Sequence, residues 1–110
     1  MKKFEVIWTK KAELDLELII EYIKVDSIGI AKNIFFEIKE QCDTLYIFPE
    51  SRRIVPELQQ IGVLQYRELI YKRWRIIYKT ESDTVYILIV VDASRDIEDI
   101  LFQRLLRDNT

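Results

Sequence analysis

The chain has 110 residues, 49% hydrophobic and 33% charged, with a formal net charge of −2, two glycines, two prolines, one cysteine and no histidine. This balance predicts one globular domain over residues 1–110 with a real core, and it excludes a disordered or low-complexity chain. The missing histidine and lone Cys42 exclude an internal disulfide, a zinc site and histidine acid–base chemistry, so no metal and no cofactor is expected.

Phe4-Glu5-Val6-Ile7-Trp8 is rich in β-branched and aromatic residues and predicts a short strand. Thr9 is placed to cap a helix whose apolar stripe is Ala12, Leu16, Ile19, Ile20 and Ile23, with Glu13, Glu17 and Glu21 on the outer face. Asp26 or Ser27 can cap a second helix with the stripe Ala31, Ile34, Phe35, Ile38, Cys42 and Leu45. The Phe48-Pro49 step ends it, because a residue before proline avoids the helical region. Leu14, Leu18, Ile30 and Phe36 lie off these stripes, which makes them candidates for docking a partner or for widening the core face.

From Tyr66 onward the period shortens. Residues 66–71, 73–80 and 84–91 are β-rich, and Glu81-Ser82-Asp83 predicts a hairpin turn. Val85, Ile87, Ile89 and Val91 alternate with a second set that is also largely apolar, which marks a central strand. Arg95 through Arg107 predicts a last helix with Ile97, Ile100, Leu101, Leu105 and Leu106 inward. The expected class is α+β: an N-terminal strand, a helical hairpin, a three-stranded and mainly antiparallel meander joining one sheet, and a C-terminal helix. No apolar run reaches the ~18 residues of a membrane span. Met1-Lys2-Lys3 opens no long apolar segment, so neither a membrane partner nor a secretory leader is expected, and the cytoplasm is the expected location.

Charge is unevenly distributed. Residues 1–50 carry seven Lys/Arg against ten Asp/Glu, whereas residues 51–80 carry seven against two. Strand alternation puts Trp74, Ile76 and Tyr78 on one face and Arg73, Arg75, Ile77 and Lys79 on the other. With the helices on the apolar side, the basic residues line an open face, where Arg67 or Arg95 can join them. Arg52, Arg53, Arg67, Arg73, Arg75 and Arg95 are therefore the candidate target-binding set, suited to phosphates or carboxylates. For Arg95 an ion pair with Asp92 or Asp96 competes with a binding role.

These segments resemble the RelE/ParE superfamily of toxins from bacterial type II toxin–antitoxin modules. The resemblance runs through Ala12-Glu13-Leu14-Asp15-Leu16, Leu45-Tyr46-Ile47-Phe48-Pro49 and Arg52-Arg53-Ile54-Val55-Pro56-Glu57-Leu58. It continues through Tyr66-Arg67-Glu68-Leu69, Trp74-Arg75-Ile76-Ile77-Tyr78, and Val85 to Val91 followed by Ser94-Arg95-Asp96. It implies a growth-arresting, plasmid-stabilising type of protein held inactive by a cognate antitoxin, meeting operator DNA only through that complex. In the RelE-like branch such proteins are mRNA interferases that cut message on the ribosome, and Arg75 and Arg95 match that branch's catalytic arginines. The ParE-like branch poisons DNA gyrase without known hydrolytic chemistry.

The match to the cutting branch is incomplete. Leu101 and Phe102 stand where its C-terminal tyrosine would fall, and Asp92 stands at a position often held by histidine. Proton transfer would rest on Tyr66, Tyr71, Glu68 or a ribosomal group. The ParE-like branch with gyrase as target is therefore the expectation. A ribosome-dependent endonuclease and a non-toxic protein-binding module are the alternatives.

Overall fold

The computed structural model describes residues 2–107. A strand β1 (Glu5–Trp8) leads into helix α1 (Lys10–Lys24), which Thr9 caps by accepting the Ala12 N–H through Oγ1 at 3.3 Å. Ser27, not Asp26, caps helix α2 (Ile28–Asp43), accepting from Ile30 N–H at 3.1 Å. The helix stops at Asp43, five residues short of Phe48, and a 3-10 turn (Thr44–Tyr46) follows that still buries Leu45. Phe48 sits in the left-handed region at φ 50, and a second short turn begins at Pro49.

Next comes a short helix that the apolar period did not predict, α3 (Pro56–Gln59), with proline at its permissive first position. The meander follows as β2 (Arg67–Tyr71), β3 (Trp74–Glu81) and β4 (Thr84–Asp92). Ser82 supplies the positive φ of the β3–β4 turn. The expected last helix is shorter and of two kinds: α4 (Ile97–Leu101), capped by Asp96, widens into π-type turns over Phe102–Arg107.

The strand order is β1-β4-β3-β2, with β1 parallel to β4 and the other pairs antiparallel. Register holds one departure from simple alternation. Tyr78 faces Ile87 but Ile77 faces Ile89, so Leu88 is an extra residue in β4. This bulge exchanges the faces. Val85 and Ile87 pack under the helical hairpin, whereas Ile89 and Val91 pack on the opposite side. The expectation that these four side chains share a face is therefore corrected.

The open basic face is corrected as well. Trp74, Ile76 and Tyr78 do meet the α1–α2 hairpin. Behind them a second core forms from Val55, Leu58, Tyr66, Ile77, Ile89, Val91, Ile97 and Leu101, contributed by the α3 segment, the sheet and α4. Burying an apolar side chain of this size contributes about 1.5–3 kcal/mol. Ile77, Ile89 and Val91 thus supply the reason the second face is covered.

Candidate functional site

The arginines expected on one open face are dispersed. Arg75 does lie opposite Ile70 on the far side of the sheet, but it is only 8% exposed. Its Nε donates to Glu68 Oε1 at 2.7 Å, and Nη1 and Nη2 donate to Glu57 Oε2 and Oε1 at 3.0 and 2.8 Å. The Glu68 side chain is 0% exposed and also accepts from Arg53 Nε at 2.6 Å. The hydrogen bonds from Arg75 hold the Glu57 carboxyl below its ordinary range, and those bonds in turn raise the Arg75 guanidinium. Arg53, Glu68, Arg75 and Glu57 form one ion cluster that pins the α3 segment to β2 and β3. Removal of a partner from such a buried pair is costly, so the cluster holds the cation in place.

Arg67 faces the hairpin side, directly opposite Tyr78, and its Nη1 donates to the Arg52 carbonyl at 2.7 Å, so it does not join Arg75. Arg73 lies in the β2–β3 turn, outside the strand, and pairs with Asp92 at 2.6 Å while remaining largely exposed. The Asp92 carboxyl is lowered first by the Ser94 backbone N–H and then by the Ser94 side chain and Arg73. Arg52 and Arg95 are exposed. Neither competing pair for Arg95 forms: Asp92 is taken by Arg73 and Ser94, and Asp96 accepts from Glu98 N–H. Arg95 has no side-chain ion pair among the described residues.

Arg73, Arg95 and Arg104 line a groove of about 780 Å³ between the helical hairpin and the C-terminal helix. Its hairpin wall includes Leu18, Tyr22 and Ile30, its floor Trp74 and Val90, and its other wall Ile100 and Gln103. Leu18 and Ile30 are 61% and 57% exposed, and Tyr22 is 80% exposed. Leu14 and Phe36 are similarly exposed at 52% and 56% but lie outside the groove, so the four expected docking residues divide into two within it and two beyond it. The trough is largely apolar, and its charged lining is Arg73, Arg95 and Arg104 with Asp15 and Asp92, of which Arg73 pairs with Asp92 and Arg104 with Asp15.

Two groove residues escaped the sequence reading. Asp15 and Arg104 form a two-pronged ion pair at 3.1 Å, Arg104 Nη2 also donates to the Leu88 carbonyl at 2.7 Å, and Asp15 accepts the Val90 N–H. The available signal was an acid at Asp15 beside the buried Ala12 and Leu16 stripe, and an arginine at the same inward spacing as Ile97, Ile100 and Leu101. Charges set beside apolar stripes require partners. Cys42 is buried, and burial pushes its thiol up to about 12, which removes it as a nucleophile. No helix among the described residues is long and apolar enough to cross a membrane, and none of their acidic or cysteine side chains gather in threes as a metal site.

The sequence profile of the ParE toxin of type II toxin–antitoxin systems (parDE) matches residues 6–97. Among solved structures the fold is similar to a chain of the chromosomal ParDE toxin–antitoxin system from P. aeruginosa. The TM-score is 0.70 at 20% identity, covering 84% of this chain and 98% of that one. It is also similar to a chain of the RelBE2 toxin–antitoxin complex from Mycobacterium tuberculosis, with TM-score 0.60, 19% identity and coverage of 86% and 97%. No curated protein sequence matches. At these identities the structural likeness speaks to the α+β fold, while the profile spans most of the chain. The protein belongs to the ParE toxin family of type II toxin–antitoxin systems.

Proposed function

We propose that this protein is a growth-arresting toxin that grips a target such as DNA gyrase, and that a cognate antitoxin neutralises it. The observation that carries the choice of gripping over cutting is the Arg75 cluster. A phosphate clamp needs guanidinium donors free to meet substrate oxygens. Here Arg75 directs its Nε, Nη1 and Nη2 to Glu68 and Glu57. Its role is to position the α3 segment, and target contact falls to the exposed Arg52, Arg53, Arg73 and Arg95, with half-buried Arg67 at the margin. The antitoxin would cover the groove at Leu18 and Ile30 and extend along the hairpin to Leu14 and Phe36.

Purified protein added to a gyrase supercoiling assay should inhibit relaxation-to-supercoil conversion or trap cleaved DNA, and no effect at high excess removes gyrase as the target. Codon-positioned cuts in ribosome-bound message after induction would instead assign the RelE-like chemistry. The antitoxin reading is tested by co-expression with the product of the adjacent open reading frame. Growth should recover, and recovery should be lost with Leu18→Glu/Ile30→Glu. Recovery undiminished by that variant would place the antitoxin elsewhere.

A further inference from the structure

Away from the groove, the chain between α2 and α3 holds one aromatic ring in an unfavourable backbone conformation. Phe48 has φ 50 and ψ 49, in the left-handed region, and Pro49 follows it. That region suits glycine or asparagine rather than a bulky residue, and a following proline pushes the chain toward extended backbone. Such a conformation persists only where neighbours impose it. Here they do. The Phe4 N–H donates to the Tyr46 carbonyl at 2.7 Å, and the Tyr78 hydroxyl donates to the Pro49 carbonyl. Ser51 donates to the Phe48 carbonyl through its N–H at 3.0 Å and its Oγ at 2.8 Å. The ring held in this way belongs to neither apolar core and is 63% exposed.

Two cations stand beside this turn without a carboxylate. Arg52 is exposed and its guanidinium has no partner among the described residues. Arg67 donates from Nη1 to the Arg52 carbonyl at 2.7 Å, and its remaining N–H groups have no partner among those residues. Burial raises the Tyr78 hydroxyl above its ordinary range, and the charges of Arg52 and Arg67 act against that rise, so both guanidinia lie around the turn that Tyr78 fixes. None of Phe48, Arg52 and Arg67 lines the groove.

We propose that Phe48, flanked by Arg52 and Arg67, is the anchor by which the protein grips its target, and that this target is a folded protein offering an apolar socket edged with carboxylates. An exposed aromatic beside arginines is the chemistry of an interface hot spot, and a ring already fixed by its backbone loses little entropy on docking. Free guanidinia meet carboxylates in a two-pronged geometry. Glu50, the one acid between residues 44 and 54, stands between Phe48 and Arg52 in the chain and disfavours a phosphate backbone there. The proposal rests on the gripping reading above and adds the anchor residue and the chemistry of the surface it enters.

The test starts from growth arrest on induction of the native chain. Phe48→Asn fits the left-handed backbone without the strain, so its urea midpoint should equal or exceed the native one. The product of the adjacent open reading frame should still capture it. Colony survival on induction should nonetheless rise by about tenfold or more, since truncating a hot-spot anchor weakens binding by at least that order. Arg52→Glu/Arg67→Glu should act in the same direction. With p-benzoylphenylalanine in place of Phe48, irradiating induced cells should give an adduct that protease degrades and nuclease does not, and Arg52→Glu should reduce its yield. Undiminished arrest by Phe48→Asn removes the anchor and leaves the toxin reading standing. A urea midpoint well below the native one makes Phe48 a structural residue and overturns the proposal too. An adduct that nuclease degrades overturns it in favour of a nucleic acid. If the native chain itself arrests no growth, the toxin reading falls and the anchor with it.

Discussion

Arg75 on β3 and Arg95 just beyond β4 are one residue type in adjacent parts of a sheet, yet their circumstances are opposite. Arg75 is enclosed by two carboxylates and a second apolar core, whereas Arg95 is exposed beside a groove and has no ion-pair partner among the described residues. The difference comes from what packs on each position. A guanidinium beneath the α3 segment loses water and must be matched by acids, while one at a strand end keeps its hydration and its capacity to meet a ligand. A positive stretch of sequence therefore says little about binding until each cation's internal partners are known.

The contrast breaks most sharply at the buried cluster. Arg75→Ala leaves the Glu68 carboxylate buried with only Arg53, and is expected to lower unfolding free energy by about 3–5 kcal/mol in urea titrations. Pairing Arg75→Met with Glu68→Leu should restore most of that loss, and a single-mutant cost under about 1 kcal/mol would show that the cluster does not hold the segment. The same cluster predicts acid sensitivity. Glu57 is held below its ordinary 4.5 in the folded protein by Arg75, so its contribution is full above 4.5 and is lost as pH falls through the lower folded value. Stability measured from pH 6 down to 3 should fall more steeply for the native chain than for Glu57→Gln.

At the groove, Arg104→Ala frees the Leu88 carbonyl and leaves Asp15 without its ion-pair partner, at an expected cost of about 1–3 kcal/mol in the same titrations. Arg95→Ala is the smallest in stability, within about 0.5 kcal/mol of the native chain. It should nonetheless weaken antitoxin capture in a pull-down, and unchanged capture would remove Arg95 from the docking surface. Together these variants test whether one arginine holds the fold and the other meets a partner.

Much of the architecture was legible in the chain. Helix stripes at Ala12, Leu16, Ile34 and Ile38 reached the core as expected, and the caps at Thr9 and Ser27 formed. The exposed positions Leu14, Leu18, Ile30 and Phe36 were also recognisable, because residues off an apolar stripe face outward wherever no second layer covers the helix. The face of Arg75 was predicted correctly, but its burial was not. That burial depends on Glu57 from α3 and on where a non-repetitive segment between Arg52 and Tyr66 crosses the sheet.

The sequence by itself determined the two long helices and the four strands, the two-sided apolar character of the last strand, and membership of a recognisable toxin family, because periodicity, capping and motif order are local properties; it did not reveal α3. Only the tertiary structure decided the extra residue at Leu88, the exchange of faces that follows it, and the partners of each arginine. A bulge leaves no reliable mark in an almost continuously apolar run, and ion partners as distant in sequence as Asp15 and Arg104 meet only when the layers close.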